Sequence, residues 1–539
     1  MLAIAGVKWM NNAKILIVIA QFNKTYVDRL IESMKILEIP VGYEVEILVI
    51  TDVMKKIEAY RRAVLGSEAK YKIFIDEKTV IKDKNFLNEI ITTFNQDEKI
   101  GAIGVIGSSI VPTDAKIRHN TRRIGEMEFT DIKFVNWSGD SNIADVIAVE
   151  EYVLATSCDT AWFDIGLQSD EFLFTTQCIE LKEKGYKSVI NRELGKCISW
   201  EGNNEREYNQ QDCKLFMDTY YDSVMPLVQV LIPTYNRPDL LKIALESALN
   251  QTYKHIEIII SDNNDHNEAT FNMLKPYMGK DNRIKYFHQK GKDFGINEQF
   301  TWLKNYDNPK AEYVSWLMDD DVYYPDKIAV MIDYYLQYDG ISIVTSARDF
   351  IDEDGNKYEV TYLNKPICSV PTRFSGNQIG KEMLMRNFNF IGEPTTVLLK
   401  KTYLNNGNIG WNDVEGEYVI IDFPRWLELM TKGDLVYIPT VHSALRLHSI
   451  RDSNNPETKL NILLCWILDI KYAWENNYFL TTKDDFEKTI LQWLSDSLAL
   501  IQKFSNAEYN TPRFLLVKKV FSRVAESLHN GNVLNLEIM

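Results

Sequence analysis

The chain carries one structural plan twice, and a duplicated plan constrains its fold more than any other feature. The second copy reads VQVLIPTYNRPDLLKIALESALNQ, then HIEIIISDN, then AEYVSWLMDDDVYYPDK. The first reads KILIVIAQFNKTYVDRLIESM, then YEVEILVITD, then AKYKIFIDEKTVIKDK. Aligned on these segments, Asp319, Asp320 and Asp321 fall opposite Asp76, Glu77 and Lys78. The register continues to the far end of each copy, where IELKEKGYKSVI matches LELMTKGDLVYI, Glu180 faces Glu428 and Phe174 faces Asp422. A lysine replaces a carboxylate in the first copy where a divalent cation would need negative oxygen. One working site and one retired site are expected.

In both copies short β-branched runs alternate with helical patterns, which implies βα units on a mostly parallel sheet. The first copy is expected to open with a strand over 14–20 and a helix near 26–37. The second opens with the strand VQVLIP, the turn TYNRPD and a helix over 240–249, with Pro238 in its first turn. The polar stretch 201–214 lacks apolar periodicity and is the linker candidate. Beyond about residue 456 the apolar spacing is helical. That tail is expected to pack on the second domain; a membrane-surface or partner-docking helix is the other reading. The expected fold class is α/β: two tandem Rossmann-like domains, 1–222 and 223–452, and a helical region 453–539.

With 539 residues the chain is too long for one core. Its formal net charge of −16 argues against a nonspecific nucleic-acid binder, which needs a basic surface to replace counterions. Six cysteines without a CxxC pair read as free thiols in a reducing cytosol, not as a zinc site. No run approaches the roughly 18–20 apolar residues of a membrane span. The apolar N-terminal stretch is short and lacks a small-residue cleavage site, so it reads as the first strand and not a leader. A cytoplasmic location is expected, with the inner face of a membrane left open.

Three consecutive carboxylates, Asp319–Asp321, follow the apolar run VSWL, a buried strand by its composition. Ligands of parallel sheets bind at the carboxyl ends of strands. Carboxylates there can hold Mg²⁺ or Mn²⁺, which in turn holds a diphosphate. The alternative is a solvated acidic turn before a helix near Pro325. Another acidic stretch, DEDGNKY, lacks calcium-loop spacing, and its Asp354-Gly355 reads as a hairpin turn.

PTYNRPDLLKIALESALNQTY, IIISDNN and LMDDDVYYPDK, in this order and spacing, resemble the family 2 glycosyltransferases of the GT-A fold. GKDFGINEQFTWL resembles the helix before the family's acidic motif, with Gly295 and Asn297 in place. IGEPTTVLLKK, with Glu393, resembles the strand near the sugar and acceptor pocket, and DFPRWLELMTKGDLVYIP followed by LRLH resembles the catalytic-base helix and C-terminal segment. The resemblance covers about 228–448. The commonest family pattern has a further Asp where this chain has Met318.

That resemblance implies a metal-dependent, hexosyltransferase-type enzyme using Mn²⁺ or Mg²⁺. Asp320 is the first choice as metal ligand, with Asp321 and His448. Asp422 would be the general base, although it also fits a helix N-cap; Asp413 and Glu417 are weaker candidates. Pro233, Thr234, Tyr235, Asn236, Arg237, Asp262, Asn297, Asp319 and Glu393 would bind the nucleotide-sugar. Tyr235 either stacks on the base or packs on the next strand. Asp262 either meets the base or ribose, or forms an Asx-turn. His448 is either a ligand or structural, and Arg446 contacts phosphate or makes a surface ion pair.

In the first copy AKYKIFIDEKTVI and EYVLATSCDTAWFDIGL resemble bacterial glycosyltransferase-like domains of the GT-A type. There Lys78 would repel a cation, Phe174 cannot accept a proton, and the counterpart of the late histidine falls near Ser199–Trp200. This domain is expected to be non-catalytic: an acceptor-glycan binder, a dimer contact or a brace.

The expected reaction is inverting transfer from a nucleotide-diphospho-sugar, UDP-sugar favoured, to a hydroxyl of a glycan, lipid-linked or protein acceptor, in bacterial surface glycan synthesis. Nucleic acid is not expected as a partner; peripheral membrane association and a homodimer are left open. The alternative is a non-enzymatic glycan- or nucleotide-binding scaffold with two inactive domains. Nucleotidyl transfer, a third reading, would usually show a Gly- and basic-rich loop, which PTYNRPD is not.

Overall fold

The computed structural model describes residues 10–263, 268–289, 295–306, 308–358, 365–404, 422–447, 455–506 and 509–530. They form two compact units, Met1–Met225 and Pro226–Met539.

The main sheet of the first unit has seven strands. Its order is Glu44–Ile50, Asn11–Ala20, Ala69–Ile75, Val153–Thr156, Ile100–Gly104, Lys187–Asn191 and Ile143–Val146. Strand Asn11–Ala20 is buried as a core strand should be: Ile15 to Ile19 are wholly buried, because helices cover both faces of a parallel sheet. The ladder is parallel except at Val153–Thr156, which runs against both neighbours, and at the edge strand Ile143–Val146.

The second unit repeats that path. From the edge its order is Ile284–His288, Ile256–Asp262, Leu227–Thr234, Ala311–Trp316, Val397–Lys400, Ile341–Ile351 and Asp434–Arg446. Val397–Lys400 is the reversed strand, in the same slot as Val153–Thr156. Each reversed strand begins at the carboxyl end of the central parallel strand before it, since Val153 pairs Ile75 and Leu399 pairs Val314. The two units are thus mixed α/β domains of one topology.

Three helices follow: Pro456–Glu475, Lys483–Asn506 and Pro512–His529. Their apolar faces join the second unit's core, with Leu460, Trp466, Trp493 and Phe514 beside Trp316, Trp426 and Leu435. Among the described residues no helix is long and apolar enough to cross a membrane. None of the six cysteines is joined in a disulfide.

The stretch 201–214 is not simply a linker. Its end enters the helix Gln210–Val224, whose Cys213, Phe216, Met217, Tyr220 and Val224 are buried in the first unit. Asp354-Gly355 does turn a hairpin, with Gly355 at φ +89° and Ile351 paired to Lys357. The helix expected near Pro325 spans Lys327–Gln337. Its first residue is fully buried: Lys327 Nζ donates to Ser315 Oγ (3.0 Å) and the Val397 carbonyl (3.2 Å), and faces the Tyr323 ring at 4.4 Å. Burial lowers this lysine to about 7.

Candidate active site

In the second unit, strand Leu227–Thr234 delivers Thr234 to the carboxyl edge, where its hydroxyl donates to Asp319 Oδ2 at 2.8 Å. Pro233 is buried one residue earlier, paired with Ser261. The chain then turns outward. Tyr235, Asn236 and Arg237 are exposed, and Asn236 takes φ +52°, a left-handed conformation that Asn tolerates better than most residues. Arg237 Nη1 lies 3.1 Å from Asp320 Oδ2 and 3.5 Å from Asp319 Oδ1. Asp262 closes the next strand, buried, with its Oδ2 accepting from the Tyr286 hydroxyl at 3.0 Å.

Asp319–Asp321 stand just past strand Ala311–Trp316. Burial, then the neighbouring Asp320 charge, pushes Asp319 up to about 6. Both oxygens of Asp321 are engaged: Oδ2 accepts from Thr395 Oγ1 (2.5 Å) and Oδ1 from the Arg446 amide (3.0 Å). Burial and then Asp320 raise Asp321 well above the usual carboxylate range. Arg446 is buried beside the acidic turn. Its guanidinium is spent on the backbone carbonyls of Asp320 (2.9 Å), Asp352 (2.7 Å) and Glu353 (2.9 Å), so it braces the acidic turn and is no surface ion pair.

Asp422 opens the helix Asp422–Met430, and its Oδ1 accepts from the Phe423 amide at 3.0 Å. It therefore satisfies a helix-start donor while remaining half-buried in a cleft. Burial, then the Glu393 charge, pushes it up to about 6. One segment ties it to the acidic turn. Asn389 Nδ2 donates to Asp422 Oδ2 (3.2 Å) and to the Gly392 carbonyl (2.9 Å), which also accepts from Trp426 Nε1 (2.8 Å). Three residues on, Thr395 holds Asp321. Between them Glu393 pairs with Arg348 at 2.8 Å. Asn389, Thr395 and Arg348 escaped sequence reasoning, since each acts on a residue distant in the chain; of the three only Thr395 lies in the quoted IGEPTTVLLKK.

Asp319, Asp320, Asp321, Glu393 and Asp422 outnumber the guanidiniums of Arg237, Arg348 and Arg446 around them. Three of these carboxyls are raised, which is what excess negative charge in a low-dielectric cleft produces. That donor set fits a divalent cation at Asp320, whose carboxylate the half-exposed Arg237 already meets. Among the described residues no group of three or more metal-ligating side chains assembles. His448, Asp413, Glu417 and the side chain of Asn297 lie outside the described residues.

The first unit places different chemistry on the same frame. Asp76 Oδ2 accepts from Lys56 Nζ (2.6 Å), and its Oδ1 from Trp200 Nε1 (2.8 Å) and the Lys78 amide (3.0 Å). Burial works to raise Asp76, but the Lys56 ammonium prevails and holds it below its ordinary value. Glu77 Oε2 accepts from the amides of Phe22 and Asn23, both at 2.8 Å, and so fastens the turn before helix Lys24–Met34. Lys78 Nζ stands 5.4 Å from the Tyr26 and Trp200 rings. Phe174 is buried against Tyr60 and Trp162. Strand pairing corrects one correspondence. Trp200 pairs Thr79 as Ala444 pairs Val322, so Trp200 occupies the Ala444 position and not that of His448. Glu151 stands before Val153–Thr156 as Glu393 stands before Val397–Lys400, and burial raises it well above the usual range among Arg118 and Arg206.

Two family models match the chain, one in each unit. Residues 16–220 fit the model of a "Glycosyltransferase like family", and residues 229–401 that of "Glycosyl transferase family 2". An uncharacterized glycosyltransferase of Rickettsia felis is 36% identical over 133 residues, 24% of this chain and 21% of that protein. The match thus spans about a fifth of that relative's length. A GalNAc(5)-diNAcBac-PP-undecaprenol beta-1,3-glucosyltransferase of Campylobacter jejuni is 26% identical over 269 residues, 49% of this chain and 79% of that protein. Among solved structures, S. aureus TarS aligns at 13% identity over 57% of this chain and 54% of its own, with a TM-score of 0.36. A likeness that low says nothing of this chain's donor.

Proposed function

We propose, for a chain that carries two glycosyltransferase-like domains in tandem, that the second is an inverting glycosyltransferase. It moves a sugar from a nucleotide-diphospho-sugar, UDP-sugar favoured, to an acceptor hydroxyl. The observation that carries the reading is the bridge Asn389–Thr395, which fixes Asp422 and Asp321 in one cleft at the carboxyl edge of the sheet.

Asp422 takes the acceptor proton as the hydroxyl oxygen bonds to the anomeric carbon. The bond from that carbon to the diphosphate breaks on the opposite face, and its electron pair leaves with the nucleoside diphosphate. A carboxylate raised to about 6 is a better base than an ordinary one and is still ionised at neutral pH. Asp320, with His448 beyond the described residues, would hold Mn²⁺ or Mg²⁺, which when bound offsets charge on the leaving diphosphate. Asp321, committed through both oxygens, holds the Arg446 backbone and Thr395 in place around it. Pro233, Thr234, Tyr235, Asn236, Arg237, Asp262, Asn297, Asp319 and Glu393 form the donor side. Arg237, already on the acidic turn, can swing to phosphate once a cation replaces it.

The first domain is non-catalytic in this reading, because an ammonium from the chain itself occupies the Asp76 carboxylate. The Campylobacter jejuni relative, named for a PP-undecaprenol substrate, favours a lipid-linked glycan as acceptor and surface glycan synthesis as the setting.

The test is nucleoside diphosphate release by the full chain with Mn²⁺ against UDP-, GDP- and dTDP-sugars, beside Asp422→Asn. Release by the wild type that the variant loses supports the reading. No release from any donor, and no metal-dependent nucleotide binding, would return both domains to the scaffold alternative.

A further inference from the structure

Where the second unit carries its acidic turn, the first carries two cations on one indole. Lys78 Nζ lies 5.4 Å from the Trp200 ring and Arg206 Cζ lies 4.7 Å from it. The indole is fixed, since its Nε1 donates to Asp76 Oδ1 at 2.8 Å. The cations around this pair are matched by carboxylates: Arg118 by Glu171 (2.8 Å), Arg123 by Glu150 (2.6 Å), and Lys56 by Asp76 (2.6 Å) and Asp170 (3.1 Å). The Lys78 ammonium and the Arg206 guanidinium instead meet aromatic rings and, for Arg206, the Tyr152 hydroxyl at 3.0 Å. Three buried polar atoms in the same cluster have no hydrogen bond: Arg118 Nε, Glu151 Oε1 and Arg206 Nε.

We propose that the first domain binds, without a metal, an oxyanion carried on a sugar, a phosphate ester or a uronate, held by Lys78 and Arg206. This goes beyond the transferase reading, which gives that domain no ligand, and its test uses no transfer.

The cluster is rich in donors. Glu151 is 6% exposed, and burial raises it well above the usual range, so its carboxyl holds a proton and donates as well. A buried donor left unpaired costs free energy, and one oxyanion offers lone pairs to several donors at once. A cation is refused here, because the Lys56 ammonium already neutralises Asp76. A nucleoside is not favoured either. In the second unit Asp262 stands beside an outer strand, Ile284–His288, whose Tyr286 hydroxyl donates to it at 3.0 Å. In the first unit the strand Glu44–Ile50 is itself the sheet edge, and the exposed Asp52 pairs with Arg62 at 2.9 Å. The wall beside a base is therefore missing among the described residues. A glycosyltransferase-like domain makes a sugar the natural carrier of the charge.

The experiment titrates the full chain with glucose 1-phosphate, glucuronate, glucose and UDP by calorimetry in EDTA, which removes the cation that the second domain would use for nucleotide. At least one anionic sugar should bind, and glucose should not. A preference for glucose 1-phosphate names a phosphate ester as the ligand, and the reverse a uronate. Lys78→Met and Arg206→Met should each raise the Kd at least tenfold, and Lys78→Arg less than threefold. Lys78 is partly exposed, so the melting temperature of Lys78→Met should stay near that of wild type. Binding of neither anion would leave the three orphaned atoms to water and overturn the proposal. So would binding that needs Mn²⁺, that glucose matches, or that both methionine variants leave unchanged. UDP binding tighter than either sugar and lost in Lys78→Met would overturn the choice of a sugar and give the site to a nucleotide.

Discussion

Lys56 places its ammonium 2.6 Å from the carboxylate of Asp76, at the position where the second unit carries Asp319. The pair is nearly buried, with side-chain exposures of 13% and 9%. Removing one partner of such a pair leaves an uncompensated charge in low dielectric. We expect Lys56→Met to destabilise the protein by about 3–5 kcal/mol in denaturant unfolding of the full chain. Lys56→Met combined with Asp76→Asn should recover much of the loss. The folded pKa of Asp76 lies below its ordinary 3.8, so its contribution is whole above that pH and fades as pH falls through the folded value. A single variant as stable as wild type at pH 7 would contradict the ion-pair account.

Asp422 should set the acid limb of activity. A base must be ionised, so kcat/KM for transfer should rise with pH and level off above about 6. Asp422→Asn should lower the rate by about 10²–10⁴-fold and abolish that limb, while donor binding followed by nucleotide fluorescence persists. An acid limb unchanged in the residual activity of Asp422→Asn would assign the titration elsewhere.

Thr395 holds Asp321 from the far side of the cleft, so its loss should be felt at the cation. Thr395→Val keeps the shape, but strips the hydroxyl from Asp321 Oδ2 and from the Met318 amide, 3.2 Å away. Leaving a buried group unpaired costs about 1–3 kcal/mol. Outer partners of a metal site typically govern about 10–100-fold in affinity. We expect the Mn²⁺ concentration for half-maximal release to rise within that range, with kcat at saturating Mn²⁺ less affected. Thr395→Ser should restore it.

Lys327 is a stability liability of the second unit. Its folded pKa of about 7 lies below the ordinary 10.5, so between these values the unfolded chain binds a proton that the folded chain does not. Stability should therefore rise with pH across that window, by up to about 1.4 kcal/mol per unit from this group. Lys327→Met keeps the stem, and Ser315 Oγ still donates to the Val397 carbonyl at 2.8 Å. The variant should melt above wild type at pH 7, and the gap should close toward pH 10. Equal melting temperatures throughout would mean that the ammonium is better solvated than its burial implies.

The doubled topology was legible because βα alternation and its register recur residue for residue, and the acidic turn because Asp319–Asp321 follow an apolar strand. The partners of these carboxylates were not. Thr395 reaches Asp321 across a reversed strand, Asn389 reaches Asp422 from another loop, and Lys56 reaches Asp76 from a helix twenty positions away. Pairing across a sheet edge leaves no local periodicity to read. The start of the helix Gln210–Val224 was read as linker for a related reason. Its buried positions begin only at Asp212 and Cys213, so the stretch 201–214 shows the polar entry without the apolar face.

The reversed strand in the middle of each sheet changes what the binding edge can be made of. A parallel strand offers a ligand only the residues at its exit, and those also steer the chain into the next helix. Val397–Lys400 offers its entrance instead, so the loop leading into it can vary without redirecting any helix. Both units use that freedom for a glutamate, Glu393 in one and Glu151 in the other. Descendants of one ancestral sheet could thus exchange partners around a single acidic position, guanidinium cage for open cleft, while every strand kept its place.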